Sequence, residues 1–206
     1  MLMVHAAKMP DLPQTGLISR YVLENPWPVG IGLALAAMVA LWFGLRDGGR
    51  STLGLAGVAA VLSMLVFVLA ALFTTAAEHG KAVTVELVDR VVANDITGAM
   101  SLFSDTATVT MSSPNNPGLG VDYLRSGLDR ASSYRIQSNS IRMLDGFSDG
   151  SDAAIVHLGC FTEVGSSFTP STWIVRIEQQ PDGQWKITKL TCVSIGNQTP
   201  RLNWLN

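Results

Sequence analysis

Few side chains in this sequence could carry chemistry, and none of them comes in a reactive set. His157 titrates near neutrality and could act as a general base if a pocket enclosed it; on an outer sheet face it would be a solvated histidine. Asp105 offers a carboxylate, although at the end of a short helix a turn or cap role competes with a catalytic one. Tyr123 and Tyr134 carry hydroxyls that could line a pocket rim or simply edge a core. The only two cysteines, Cys160 and Cys192, are too few for a disulfide scaffold or a zinc motif of paired cysteines. No GxSxG, Walker, HExxH or GxGxxG pattern occurs, so the usual nucleophile, nucleotide and zinc arguments do not start. Asn197-Gln198-Thr199 matches a glycosylation sequon, a pattern too short to decide anything alone. A net charge of −2 without a basic run argues against a nucleic-acid partner. No catalytic residue, metal ligand or cofactor is assigned.

The strongest pattern is one that positions the chain. Thr52 to Thr75 is an uncharged run of 24 residues. As a helix it is ~36 Å long, enough to cross a hydrocarbon core of ~30 Å. Val29 to Leu45 is a second uncharged run, 17 residues long. The six residues from Arg46 to Ser51, two of them glycine, can only join the runs as a tight helical hairpin. The mean hydropathy of +0.30 therefore averages an apolar hairpin with a soluble remainder. Gly32, Ala36, Ala40 and Gly44 recur every four residues and are expected to form the contact stripe, met by Ala56 and Ala60. The same stripe could instead seam a homodimer.

Neither run holds an ionisable residue, so the hairpin is expected to anchor the protein in a lipid bilayer and not to transport. Arg46 and Arg50 at the loop ends favour a cytoplasmic loop, which leaves both termini and the soluble domain extracytoplasmic. Residues 1–26 form a polar tail, in which LISRYVLEN (17–25) reads either as an interfacial helix or as disordered chain. No basic segment leads into a short apolar core with a cleavage site, which argues against a secretory signal peptide.

Beyond Ala77 the periodicity changes. Val83, Leu87, Val88, Val91 and Val92 give an amphipathic helix, Lys81 to Asn94, expected to run on from the second span. Asp95 caps a short helix (Ile96 to Phe103), and Thr106 to Met111 reads as a strand. A third helix follows at Val121 to Ala131. Four strands are then expected, at Tyr134 to Leu144, Ala153 to Val164, Thr169 to Gln179 and Gln184 to Ile195. Pairing Gln179 with Trp185 across the Pro181-Asp182-Gly183 turn puts Trp173 opposite Thr191 and Val175 opposite Lys189. The core face then carries Val156, Leu158, Cys160, Trp173, Val175, Ile177 and Ile187. In that register the cysteines sit two strands apart on opposite faces, beyond disulfide reach.

The helix pair ending ITGAMSLFSDTATVTM (96–111), the VDYLRSGLDR helix (121–130) and the strands IVHLGCFTEV and WIVRIEQQPDGQWKITKLTCVSI carry a resemblance. In order and wording they resemble the nuclear transport factor 2-like superfamily, its SnoaL-like group in particular, from His79 to Ile195. The resemblance implies a cone-shaped α+β domain (residues 78–196) with a curved, mostly antiparallel sheet wrapped around helices. It follows the hairpin (27–77) and precedes a short tail (197–206). Members range from isomerases, dehydratases and cyclases to binding and assembly domains, so the fold does not choose a function. Isomerase-like members use a pocket carboxylate with tyrosine or acid donors, whereas the helix from Lys81 and the expected core face here offer none.

The expected role is therefore a membrane-anchored module for a small hydrophobic ligand or for protein assembly. Its ligand face would be Met111, Leu128, Cys160, Trp173 and Thr191. An isomerase, dehydratase or cyclase, and a scaffold subunit of an envelope complex, are the alternatives. On the outer face Phe161, Ile174 and Leu190, with Cys192, would form an apolar patch. That patch would be covered by a homodimer partner or by Leu202, Trp204 and Leu205 of the tail.

Overall fold

The computed structural model describes residues 26–72, 74–134, 136–196, 198 and 200, in two compact units that part between Thr75 and Ala76. The segment 17–25, sequon residues Asn197 and Thr199, and the tail residues Leu202, Trp204 and Leu205 lie outside the described residues.

The first unit is a helical hairpin, α1 (Trp27–Asp47) and α2 (Arg50–Leu72), each long and apolar enough to cross a membrane. Its seam is Gly30, Ala37 and Gly44 on α1 against Ala56 and Ser63 on α2. The spacing is seven residues, not four. Steps of four drift about 40° around a 3.6-residue helix, whereas steps of seven drift only about 20° and hold one face towards a nearly parallel partner. The expected stripe is corrected accordingly: Gly44 belongs to it, but Gly32 faces open space, Ala36 and Ala60 are exposed and Ala40 is half-buried. Gly30 is required because a Cβ there would run into the Phe67 ring. The Ser63 hydroxyl donates to the Gly30 carbonyl at 2.8 Å, and Trp27 meets Phe67 edge-on.

The second unit comprises α3 (Ala76–Val92), α4 (Ile96–Ser101), β1 (Phe103–Met111), α5 (Val121–Ser133), β2 (Ile136–Ser148), β3 (Ala153–Val164), β4 (Ser167–Gln179) and β5 (Trp185–Ile195). The expected unbroken run from the second span does not occur, because α2 ends at Leu72 and Thr74 and Thr75 lie outside any helix. The sheet order is β1-β5-β4-β3-β2, parallel between β1 and β5 and antiparallel elsewhere. This is the α+β cone that the resemblance implies.

The helix α3 lies on one face of the sheet, here the inner face. It buries Ala76, Ala77, Gly80, Thr84, Leu87 and Val88 at helical spacing and leaves Glu86 and Arg90 paired at 2.6 Å on the outside. Gly80 is the point of closest approach: a Cβ there would sit 2.8 Å from Ala154 Cβ and 3.1 Å from Val156. Asp95 caps α4 by accepting the Gly98 N–H at 2.8 Å. The inner face closes on a core of Leu87, Ala99, Leu102, Phe103, Val109, Leu124, Val156, Val175, Ile177, Ile187 and Cys192.

Strand register departs from the expected one in two ways. The β3–β4 hairpin pairs Val164 with Ser167, so Leu158 faces Trp173 and Val156 faces Val175, a slip of two residues that keeps every side chain on its face. Between β4 and β5, Gln179 pairs Trp185 and Ile177 pairs Ile187 as expected, but a bulge at Thr188 then brings Arg176 opposite Lys189. One extra residue flips everything beyond it. Val175 faces Leu190, Trp173 faces Cys192, and Ile174 faces Thr191. A second bulge, at Val193, precedes the pairing of Thr172 with Ser194.

Candidate functional site

The inner face brings together four of the five expected ligand-face residues. Met111 is buried in the main core, and Leu128 and Trp173 pack against it. Cys160 is buried with Val88 and Leu158 in an adjoining cluster that Trp173, Ile141, Leu144 and Val92 border. Thr191 is the exception. The Thr188 bulge turns it to the outer face, where it bonds Thr110 hydroxyl to hydroxyl at 2.8 Å. Leu190 is corrected in the opposite sense: expected on the outer face, it packs on the inner core. Cys192 moves inward with it and is fully buried. Both cysteines are free thiols on the same face, not on opposite faces. Burial pushes the Cys192 thiol up to about 12 and raises Cys160 too, with the Asn139 side chain pulling Cys160 partly back.

Alternation along β2, β3 and β4 adds polar groups at one end of this face that sequence reasoning passed over. Cys160 pairs Ile141 on one side and Ser171 on the other, so Asn139, Thr162 and Thr169, two residues further along, share its face. The Asn139 Nδ2 group donates to Thr162 Oγ1 at 3.4 Å, and the Trp173 Nε1–H donates to Ser171 Oγ at 2.9 Å. Asn139 Oδ1 is buried and has no hydrogen-bond partner among the described residues. The signal for this end was the alternation itself, Asn139–Ile141 and Thr162–Cys160, once the strands were paired.

Two histidines differ from expectation. His79 lies on α3, which starts five residues before Lys81, and its ring stacks on Trp185 at 5.0 Å and 12°. His157 is on the outer face as expected but is not solvated. It is 7% exposed, T-shaped against Phe147, and paired with Ile174 on one side and Asp145 on the other. Burial lowers its pKa from the ordinary 6.5, and the Asp145 carboxylate opposes that shift. Asp105 is exposed on β1, Tyr123 is half-buried against the core and Tyr134 is exposed. Ile174 is buried on the outer face, and Phe161 there is 42% exposed beneath the Arg142 guanidinium. Among the described residues no group of three metal-ligating side chains comes together.

No protein-family model matches the chain, and no curated protein matches it either. Solved structures do. A domain of unknown function with a cystatin-like fold from Nostoc punctiforme is 16% identical, TM-score 0.46, over 64% of this chain and 83% of its own. A nuclear transport factor 2-like protein of unknown function from Pseudomonas putida is 15% identical, TM-score 0.45, over 54% of this chain and 80% of its own. A ketosteroid isomerase-like protein from Erwinia carotovora atroseptica is 14% identical, TM-score 0.44, over 59% of this chain and 99% of its own.

Proposed function

We propose that this chain is a two-span membrane-anchored module whose α+β domain binds a small hydrophobic molecule on the inner face of its sheet. The observation that carries the binding half is the face itself. Val92, Ile141, Leu144, Trp173, Val88 and Cys160 converge there with neutral polar groups at one end. An apolar surface with a few placed polar groups is the usual make-up of a small-molecule site. The anchoring half rests on the hairpin. Its seam is small residues, and Leu35, Met38, Trp42, Leu45, Leu55, Val61 and Met64 all point outward. In water that surface would be a very large apolar patch, whereas in lipid it is ordinary. Arg46 and Arg50 at the hairpin's turn favour a cytoplasmic loop and hence an extracytoplasmic domain. A homodimer through the outer face would use the exposed Phe161 and Phe168.

The test uses the full chain in lipid nanodiscs with the apolar fluorophore N-phenyl-1-naphthylamine. Binding is expected to saturate at a fixed ratio to protein and to receive energy from Trp173 in the wild type but not in Trp173→Phe. Fluorescence that only scales with lipid would overturn the proposal. A reporter fused after Asn206 decides the orientation separately. The second reading, an isomerase-, dehydratase- or cyclase-type enzyme, is favoured by His79, which stacks on Trp185 where that ring meets the core. Turnover that a His79→Gln variant loses would establish it.

A further inference from the structure

The inner-face polar end contains an imbalance. The Asn139 amide has three kinds of neighbour: Thr162 across the strand pair, Cys160 diagonally, and the apolar group of Ile141, Trp173 and Val92 beyond. Its nitrogen is used, weakly, towards Thr162 Oγ1 at 3.4 Å and towards the Cys160 sulfur. Its oxygen is buried and bonds to nothing among the described residues. A buried acceptor left in that condition costs about 1–3 kcal/mol, an amount that a fold without a use for it could avoid by placing leucine or valine there. The Trp173 indole N–H goes to Ser171 Oγ at 2.9 Å, and the amide's own N–H group points to Thr162 Oγ1.

We propose that Asn139 Oδ1 is the polar anchor of the ligand site, accepting a hydrogen bond from a hydroxyl or N–H group on an otherwise apolar molecule. The ligand class is thereby narrowed to small aromatic or alicyclic alcohols, phenols and amines whose ring rests against Trp173 and Ile141. The donor is presented to the acceptor while the ring occupies the apolar wall. An apolar molecule without a donor gains the same burial but leaves the carbonyl oxygen unpaired, so it binds more weakly. Discrimination of this type is large because the unsatisfied group remains on the protein side. The inference rests on the binding role proposed above.

The experiment compares three probes of nearly equal size, p-cresol, p-xylene and 4-methylanisole, on the full chain in nanodiscs. Free probe is measured by dialysis, and the ¹⁵N signals of the Asn139 side-chain amide and the Trp173 indole are followed. The expected result is that p-cresol binds at least about tenfold tighter than either other probe, equivalent to about 1.4 kcal/mol. It should shift both signals. Asn139→Leu should bring the three affinities together while p-xylene binds no worse. Thr162→Val, which leaves the acceptor in place, should keep the preference and so serves if Asn139→Leu does not fold. Equal binding of the three probes to the wild-type face would overturn the donor inference and leave the hydrophobic-ligand role standing. Preference for 4-methylanisole would overturn it too, since the amide would then be offering its N–H. Binding of none of the probes would overturn both.

Discussion

Thr110 Oγ1 and Thr191 Oγ1 lie 2.8 Å apart across β1 and β5, the one parallel strand pair among the described residues, and both side chains are buried. Each hydroxyl is the other's partner, so the pair is satisfied only as a pair. Thr191→Val or Thr110→Val alone should cost about 1–3 kcal/mol, because the remaining hydroxyl is stranded in the sheet. The double valine variant should be much less destabilised than the sum of the two. Denaturant melts of the four proteins test this; additive costs would refute a mutual bond.

His157 should make stability depend on pH. Its folded pKa lies below the ordinary 6.5 because burial disfavours the charged ring, so in acid the unfolded chain binds the proton that the folded chain refuses. The sign is then fixed: stability rises with pH, is fully present above about 6.5, and is lost as pH falls below that value. His157→Asn should flatten the acid limb of a plot of unfolding midpoint against pH. Asp145→Asn should steepen it, since the carboxylate favours the charged ring. An unchanged limb in His157→Asn would mean that other groups control it.

Most of the fold was legible because it rests on patterns that neighbours cannot override. The span of β3 and the Gln179–Trp185 turn pairing follow from alternation and turn chemistry, and Asp95 capped α4 as its type suggests. The Thr191, Leu190 and Cys192 placements were not legible, because a bulge leaves no period in the sequence. Thr188 looks like any other β-branched strand residue. The Asn139 end was readable only after register was known, and the His157 burial depends on packing across the outer face, which alternation does not report.

The bulge itself can be tested. Thr188 is the extra residue, and its hydroxyl is buried without a partner among the described residues. Thr188→Val should therefore be neutral to stabilising by about 1 kcal/mol. Deleting Thr188 removes only the extra residue and leaves Lys189 opposite Arg176 and Leu190 opposite Val175, so Leu190 and Cys192 should stay inward, Thr191 outward, and the fold should survive. A deletion variant that loses its sharp melt would show that the bulge at Thr188 does more than carry one extra residue.

Both cysteines should be chemically silent in the folded protein. The thiolate is the nucleophile, and burial raises both pKa values, that of Cys192 to about 12. At pH 8, iodoacetamide should label neither cysteine in the native full chain and both after denaturation, as mass spectrometry would count. Stoichiometric native labelling of Cys160 would mean that burial does not keep its thiol protonated.

The hairpin seam makes a paired prediction. A side chain at Gly30 would meet the Phe67 ring, whereas Gly32, two residues on, faces nothing within 4 Å. Gly30→Val should therefore destabilise the helix pair by about 1–3 kcal/mol through overpacking, and Gly30→Val with Phe67→Ala should recover much of that. Gly32→Val should stay within about 0.5 kcal/mol of wild type, as surface substitutions do. Loss of helical signal during titration of the full chain with sodium dodecyl sulfate measures all three variants. If Gly32→Val is the damaging one, the every-fourth-residue stripe packs the helices after all. Gly30 and Gly32 lie about 160° apart around α1, since two residues turn a helix by about 200°, so this substitution series separates the two stripes at the end where they differ.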